Sequence, residues 1–121
     1  MADSWRANSY LPLPNDAVFI LFALTSRPLH GYGIIRDVER RSSGQTILQT
    51  GALYRSLRRL LRDELIEECA APPEDQASDP RRRYYRLTRR GRAVLDAEVE
   101  RMAKLVRAAR LIGAGKRPRF I

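Results

Sequence analysis

Leucines at positions 53, 57, 60 and 61 line up on one side of an α-helix, and Arg55, Arg58, Arg59 and Arg62 fall on the other. The pattern predicts a helix over residues 50–63, with the Thr50 hydroxyl as its N-cap. Upstream, Val18, Phe19, Leu21, Phe22 and Leu24 predict a short helix buried on most sides. It opens after Pro14, with Asn15 or Asp16 as cap, and is closed by Arg27-Pro28. Between these two, a helix opening at Gly31-Tyr32 turns Ile34, Ile35 and Val38 inward and Arg36, Asp37, Glu39, Arg40 and Arg41 toward water. Ser42-Ser43-Gly44 stops it.

After Asp63-Glu64 the period changes. Residues 65–70 predict a short strand, residues 71–80 with Pro72, Pro73 and Pro80 a loop, and residues 82–88 the returning strand. On that strand Tyr85 and Leu87 are expected on one side and Tyr84 and Arg86 on the other. Thr88 then caps a last helix over 89–111, in which Leu95, Val99, Met102, Val106 and Ala109 alternate in steps of four and three, the spacing of a coiled-coil seam. At 1.5 Å per residue this helix is about 33 Å long, more than so small a domain can cover alone, and a second copy would cover the rest. Glu98, Glu100 and Arg101 read as flanking surface ion pairs.

The expected architecture is mainly α with a small β-hairpin: a winged helix-turn-helix unit over 14–88 and a long C-terminal dimerisation helix over 89–112. Residues 1–13, with Trp5, Tyr10 and Pro12, have no helical period and read as an arm that is loose or folds back on the domain. Residues 113–121, with Lys116, Arg117 and Arg119, read as a flexible basic tail.

Charge sharpens this picture. The formal net charge is +9, and residues 81–92 hold Arg81, Arg82, Arg83, Arg86, Arg89, Arg90 and Arg92 with no acid among them. Such a stretch attracts a polyanion, and nucleic-acid backbones return the most for it. One histidine, His30, and one cysteine, Cys69, leave no metal cluster, no internal disulfide and no catalytic constellation, so no cofactor and no enzymatic activity are expected. His30 reads as a capping or packing residue. With no run of about 18 apolar residues and no basic-then-apolar leader, a membrane span or secretory signal is not expected, and the location read from this is cytoplasmic.

His30-Gly31-Tyr32, then Leu53-Tyr54 with Leu57 and Leu60, then Arg82-Arg83-Tyr84-Tyr85 with Leu87, Thr88 and Gly91 together resemble the PadR family of bacterial transcriptional regulators over about residues 14–112. The resemblance is to the short branch with a single C-terminal helix. Where many relatives carry Ser-Pro-Gly-Thr before the Leu-Tyr pair, this chain has Gln49-Thr50-Gly51-Ala52, so the start of the recognition helix differs. The resemblance implies a homodimeric repressor whose third helix enters the major groove of double-stranded DNA at a pseudo-palindromic operator, with the wing along the flank.

Arg55 is the first choice for a base edge, Arg59 one turn later for phosphate, and Arg81, Arg82 and Arg83 for a backbone clamp, with Arg58 on the same DNA-binding face. Thr50, Gly51 and Ala52 offer free amides at the helix start. Tyr32 and Tyr54 fit equally a core ring with a surface hydroxyl or a hydroxyl on phosphate. Leu95, Val99, Met102, Val106 and Ala109 are the expected dimer interface. Two rival functions stand beside this one. The first is a basic protein binding RNA or nucleoid DNA without sequence preference. The second is a multidrug-type sensor with a planar effector between the dimer helices, to which Trp5 could lend a ring.

Overall fold

The computed structural model describes residues 5–76 and 79–115. A 3-10 turn at Ala7–Tyr10 leads into α1 (Asn15–Ala23), β1 (Leu29–His30), α2 (Gly31–Arg41), α3 (Thr50–Arg62), β2 (Ile66–Cys69), β3 (Tyr84–Leu87) and α4 (Arg89–Leu111). A second 3-10 turn, Pro73–Asp75, interrupts the proline-rich connection expected to be a plain loop.

α1 has apolar residues on nearly all sides because it is the centre of the core. Ala17, Val18, Ile20, Leu21 and Ala23 are all buried. Its N-cap is Pro14 and not Asn15 or Asp16, and no side chain caps it. Around it Ile34 and Val38 of α2, Leu53, Leu57 and Leu60 of α3, Leu65, Ile66, and Val94 and Leu95 of α4 complete one buried cluster. α4 therefore begins inside the same core as the three helices before it.

α2, α3 and α4 end in the same way. In each, the residue after the C-cap adopts a left-handed conformation, at Ser43, Glu64 and Gly113. The following amides then reach back five residues, Gly44 to the Glu39 carbonyl, Leu65 to Leu60 and Ala114 to Ala109, which satisfies carbonyls the helix leaves open. At the end of α3 this motif also buries Leu65 against Leu60 and aims the chain into β2.

The sheet has three strands in the order β1-β3-β2, all antiparallel. The sequence predicted only the β2–β3 hairpin, since two residues, Leu29 and His30, are too few to show any period. β1 changes the environment of β3. As the central strand, β3 has both Tyr84 and Tyr85 buried, where alternation predicted one in and one out. Leu29 pairs with Tyr85 and His30 with Tyr84, and the His30 ring packs on the Tyr84 ring at 5.2 Å.

The junction into α4 is built on Thr88, as expected. Its hydroxyl accepts from the Gly91 amide at 3.0 Å and donates to the Glu64 carbonyl at 2.7 Å, while its own amide donates to the Leu65 carbonyl. The arm folds back on the domain. Its 3-10 turn packs on α4, and Trp5, Ala7, Tyr10 and Leu11 extend the edge of the core. No helix among the described residues is long and apolar enough to cross a membrane.

Candidate nucleic-acid interface

α3 carries the most strongly two-faced sequence in the chain, and its packing follows. Leu53, Leu57 and Leu60 face the core, and Tyr54, Arg55, Arg58, Arg59 and Arg62 are exposed. Thr50 is not the cap. Gln49 precedes the helix with extended backbone, makes no capping hydrogen bond, and leaves Thr50 as the first helical residue. Thr50 and Gly51 are exposed and Ala52 half-buried at this uncapped start, beside which the Arg55 guanidinium lies. Amides in the first turn of a helix have no partner in that helix and favour an anion.

α2 begins against the same face. A Cβ at Gly31 would stand 2.9 Å from the Tyr54 hydroxyl and 3.3 Å from Leu53 Cδ2, so the glycine leaves room for these two α3 side chains against the first turn of α2. Tyr54 thus lays its ring tip over the first turn of α2. Tyr32 projects beside it at 60% exposure, with the Arg36 guanidinium 5.7 Å from its ring centroid. Both tyrosines present ring and hydroxyl at the surface. Between the start of α2, the outer face of α3 and the wing runs a groove of ≈ 570 Å³, bordered by Tyr32, Tyr54, Arg58 and Arg82.

The arginines divide into two sets. In the wing, Arg81 pairs with Asp79, Arg83 with Glu68 and Arg86 with Glu67, and at the start of α4 Arg90 pairs with Glu64 and Arg92 with Asp96. The acid-free run in the sequence is largely matched, by Glu64, Glu67 and Glu68 from the preceding turn and β2 and by Asp79 and Asp96 just outside it. Arg55, Arg58, Arg59 and Arg82 are different: among the described residues none has a carboxylate within ion-pair distance. Three of these four lie on α3, and the fourth, Arg82, borders the same groove as Arg58. Of the three-residue clamp expected at 81–83, only Arg82 offers an uncompensated charge.

His30 does pack, as its ring contact with Tyr84 shows, but its side chain does not cap α2. Both ring nitrogens are shut off from solvent without a hydrogen-bond partner. Burial, then the Arg82 charge, holds its pKa below the usual histidine value, with Arg27 acting the same way and Asp75 opposing. The folded state therefore takes up a proton less readily than the unfolded chain. Stability from this residue is complete above the unfolded value of about 6.5 and is lost as pH falls from there toward the folded value. We expect a lower urea midpoint at about pH 5.5 than at about pH 7.5, with a smaller drop in His30→Gln. An equal drop in both proteins would remove His30 from the account. Cys69 is half-buried and its pKa is raised by that burial, so it is no reactive thiolate. Among the described residues no group of three His, Cys, Asp or Glu could hold a metal ion.

On the dimer seam the structure separates residues that the spacing had joined. Leu95 is 4% exposed and belongs to the protomer's own core. Met102 and Ala109 are partly covered, and Val99 and Val106 are open. Leu105, Leu111 and Ile112, absent from the predicted seam, are also exposed. The unpartnered apolar surface of α4 thus begins about one turn later and is wider than the four-three pattern implied. Glu98 is no surface ion pair. It is fully buried, bonded to the Leu13 amide and to Arg101. The basic residues of the expected tail, Lys116, Arg117 and Arg119, lie outside the described residues.

The Transcriptional regulator PadR-like family model matches residues 20–97, from α1 through the wing and into α4. This chain belongs to the PadR-like family. The family is one of transcriptional regulators and not of enzymes. An uncharacterised 37.1 kDa transposon-encoded protein of Streptomyces fradiae is 38% identical over 92 residues. That match takes in 75% of this chain and only 24% of the relative. A PadR family transcription regulator from Clostridium difficile superposes with a TM-score of 0.68 at 23% identity, covering 82% of this chain and 98% of that one. A PadR-like transcriptional regulator from Bacillus cereus gives 0.66 at 20% identity, over 83% and 92% of the two chains. At those identities the likeness is one of fold, a mainly helical winged-helix structure with a small antiparallel sheet.

Proposed function

We propose that this PadR-like regulator is a repressor that binds double-stranded DNA sequence-specifically, as a homodimer on a pseudo-palindromic operator. The observation that carries the reading is the outer face of α3, where Arg55, Arg58 and Arg59 stand exposed and, among the described residues, without acidic partners on a helix whose other side is locked into the core. A rigid amphipathic helix carrying free guanidiniums suits major-groove insertion, and an arginine bridges O6 and N7 of guanine in a geometry lysine cannot reproduce. Arg82 takes the flanking backbone. The homodimer is supported by the exposed Val99, Leu105, Val106 and Leu111 on α4, a surface that a second antiparallel or crossed copy of the same helix would cover. Two-fold related α3 helices would then enter successive major grooves about 34 Å apart.

Selection of bound duplexes from a random pool at about 150 mM salt tests this, because nonspecific phosphate binding is weak there. The expected result is an enriched inverted repeat. Retention with no enriched sequence would turn the reading to a nonspecific nucleic-acid binder. On the selected site, Arg55→Ala should cost about 1–3 kcal/mol and relax preference at one position per half-site. Arg82→Ala should weaken specific and random duplexes alike, with a shallower salt dependence. Equal behaviour of the two variants would overturn the division between base reading and backbone grip.

A further inference from the structure

We infer that the arm residues Trp5–Leu13 are a positioning element: fastened to α4 at Arg90 and at Glu98, they fix the direction in which α4 leaves the winged unit and so the separation of the two recognition helices. The consequence for DNA rests on the dimeric-operator reading above, whereas the fastening itself stands on the geometry of one protomer.

The covalent tie of α4 to the rest of the fold is Thr88, and its inward residues Gly91, Val94 and Leu95 account for little more than its first two turns. One turn further comes Glu98, a carboxylate with no exposure at all. A carboxylate withdrawn from water persists only where its oxygens are bonded, because desolvation otherwise outweighs what the site returns. Here Oε1 accepts from Arg101 Nε, within the same helix, and Oε2 accepts from the Leu13 amide at 2.6 Å. Leu13 stands two residues before α1. The middle of α4 is thereby tied to the start of the first helix of the DNA-binding unit. An apolar residue at position 98 would serve burial as well or better. A charge with one bond to its own helix and one to the arm fixes a register that apolar contact leaves free to slide.

The second fastening lies at the start of α4. The Arg90 guanidinium sits 5.1 Å from the centroid of the Trp5 ring and also reaches Glu64 at 3.3 Å, in the turn between α3 and β2. Trp5 is itself held, its Nε1 donating to the Tyr10 hydroxyl at 2.9 Å with the two rings 5.8 Å apart. One guanidinium thus joins the arm, α4 and the end of the recognition helix. The two fastenings, Arg90 and Glu98, are about 12 Å apart along the helix axis at 1.5 Å per residue. Beyond Glu98 only Met102 still packs in part against the core, and α4 continues to Leu111, a further 20 Å or so from Glu98, carrying the exposed apolar residues. A small tilt at Glu98 is enlarged along that lever and doubled by the two-fold axis, which makes the arm the part of the chain with the greatest leverage on half-site spacing.

The test uses Glu98→Leu and Trp5→Ala in the full chain, each loosening one fastening. Spin labels at Gln45→Cys and Arg107→Cys in a Cys69→Ser background, diluted with unlabelled protein, report the distance between the winged unit and the free end of α4. The wild type should give one narrow distribution, and each variant a broader or displaced one. On operators whose half-sites are moved closer or further by single base pairs, the wild type should lose affinity roughly tenfold per step, the scale of one mismatched pair. The variants should lose this preference while binding an isolated half-site within about twofold of the wild type, since α3 is untouched. A merely structural role would lower both affinities together. Distributions as narrow as the wild type in both variants, with spacing preference unchanged, would overturn the assignment. If the wild type selects no spaced operator, the distances alone decide: broadening keeps the arm's role while the dimeric-operator reading falls. Should Glu98→Leu fail to fold, Trp5→Ala, at the half-exposed edge of the arm, carries the same comparison.

Discussion

Gly91→Ala should remove most of the protein's stability. A Cβ at this position would stand 1.9 Å from the Leu65 carbonyl oxygen and 2.8 Å from Leu87 Cδ1. The oxygen cannot retreat, because it accepts the Thr88 amide and belongs to the turn whose neighbouring Glu64 carbonyl holds the Thr88 hydroxyl. The collision is with backbone, so relief requires lifting α4 from the end of α3, and the expected cost is at least about 3 kcal/mol, at the upper end of overpacking effects. Gly51→Ala is the control. The nearest atom to its Cβ is the flexible Arg55 Nη1 at 3.5 Å, and alanine in place of glycine near a helix start is neutral or stabilising by up to about 1 kcal/mol. Urea unfolding of the two variants should therefore separate widely. A Gly91→Ala protein with a wild-type midpoint would mean that α4 does not sit on the Leu65 turn.

Val106→Glu should give a well-folded monomer that has lost its operator. Val106 is 50% exposed in the protomer, so a carboxylate there meets water and costs the isolated chain little. In a pair of α4 helices it would place like charges in an apolar contact, which is strongly disfavoured. Light scattering should report 13.9 kDa, the mass of one chain, with operator affinity down by roughly 10²- to 10⁴-fold through loss of the linked second half-site. Leu95→Glu, from the same four-three series, should behave differently and unfold the protomer, since Leu95 is in its core. A dimeric Val106→Glu protein that still binds its operator would place the interface elsewhere.

These contrasts show how far the sequence could be read. The α3 stripe was legible because leucines on one side and arginines on the other leave one helical orientation open. The α4 start was legible because Thr88 is followed by an unbroken helical run. What one face of one element shows, periodicity finds. It could not find β1, whose two residues have no period, nor the burial of Tyr84, which depends on β1 lying beside it. Glu98 was misread because a charged residue on a long helix ordinarily faces water. Only the returning arm, itself aperiodic, explains why this one does not. The charge count misled in the same way: residues 81–92 hold no acids, yet Glu68, Glu67 and Glu64 arrive from β2 and the turn before it. Partnership between distant segments is a property of the fold, and no window along the chain contains it.

That pairing bears on how the protein moves through a genome. Any stretch of duplex offers phosphates, and hold on arbitrary DNA rises with every uncompensated cation. By answering the wing arginines with its own carboxylates, the chain presents fewer uncompensated cations to DNA than its 23 basic residues suggest. On the sequence-specific reading proposed above, a shorter dwell on wrong sequences is the expected consequence. Among the described residues Arg55, Arg58 and Arg59 on α3 keep no acidic partner, so on that reading the molecule would give up grip in transit and keep it for arrival.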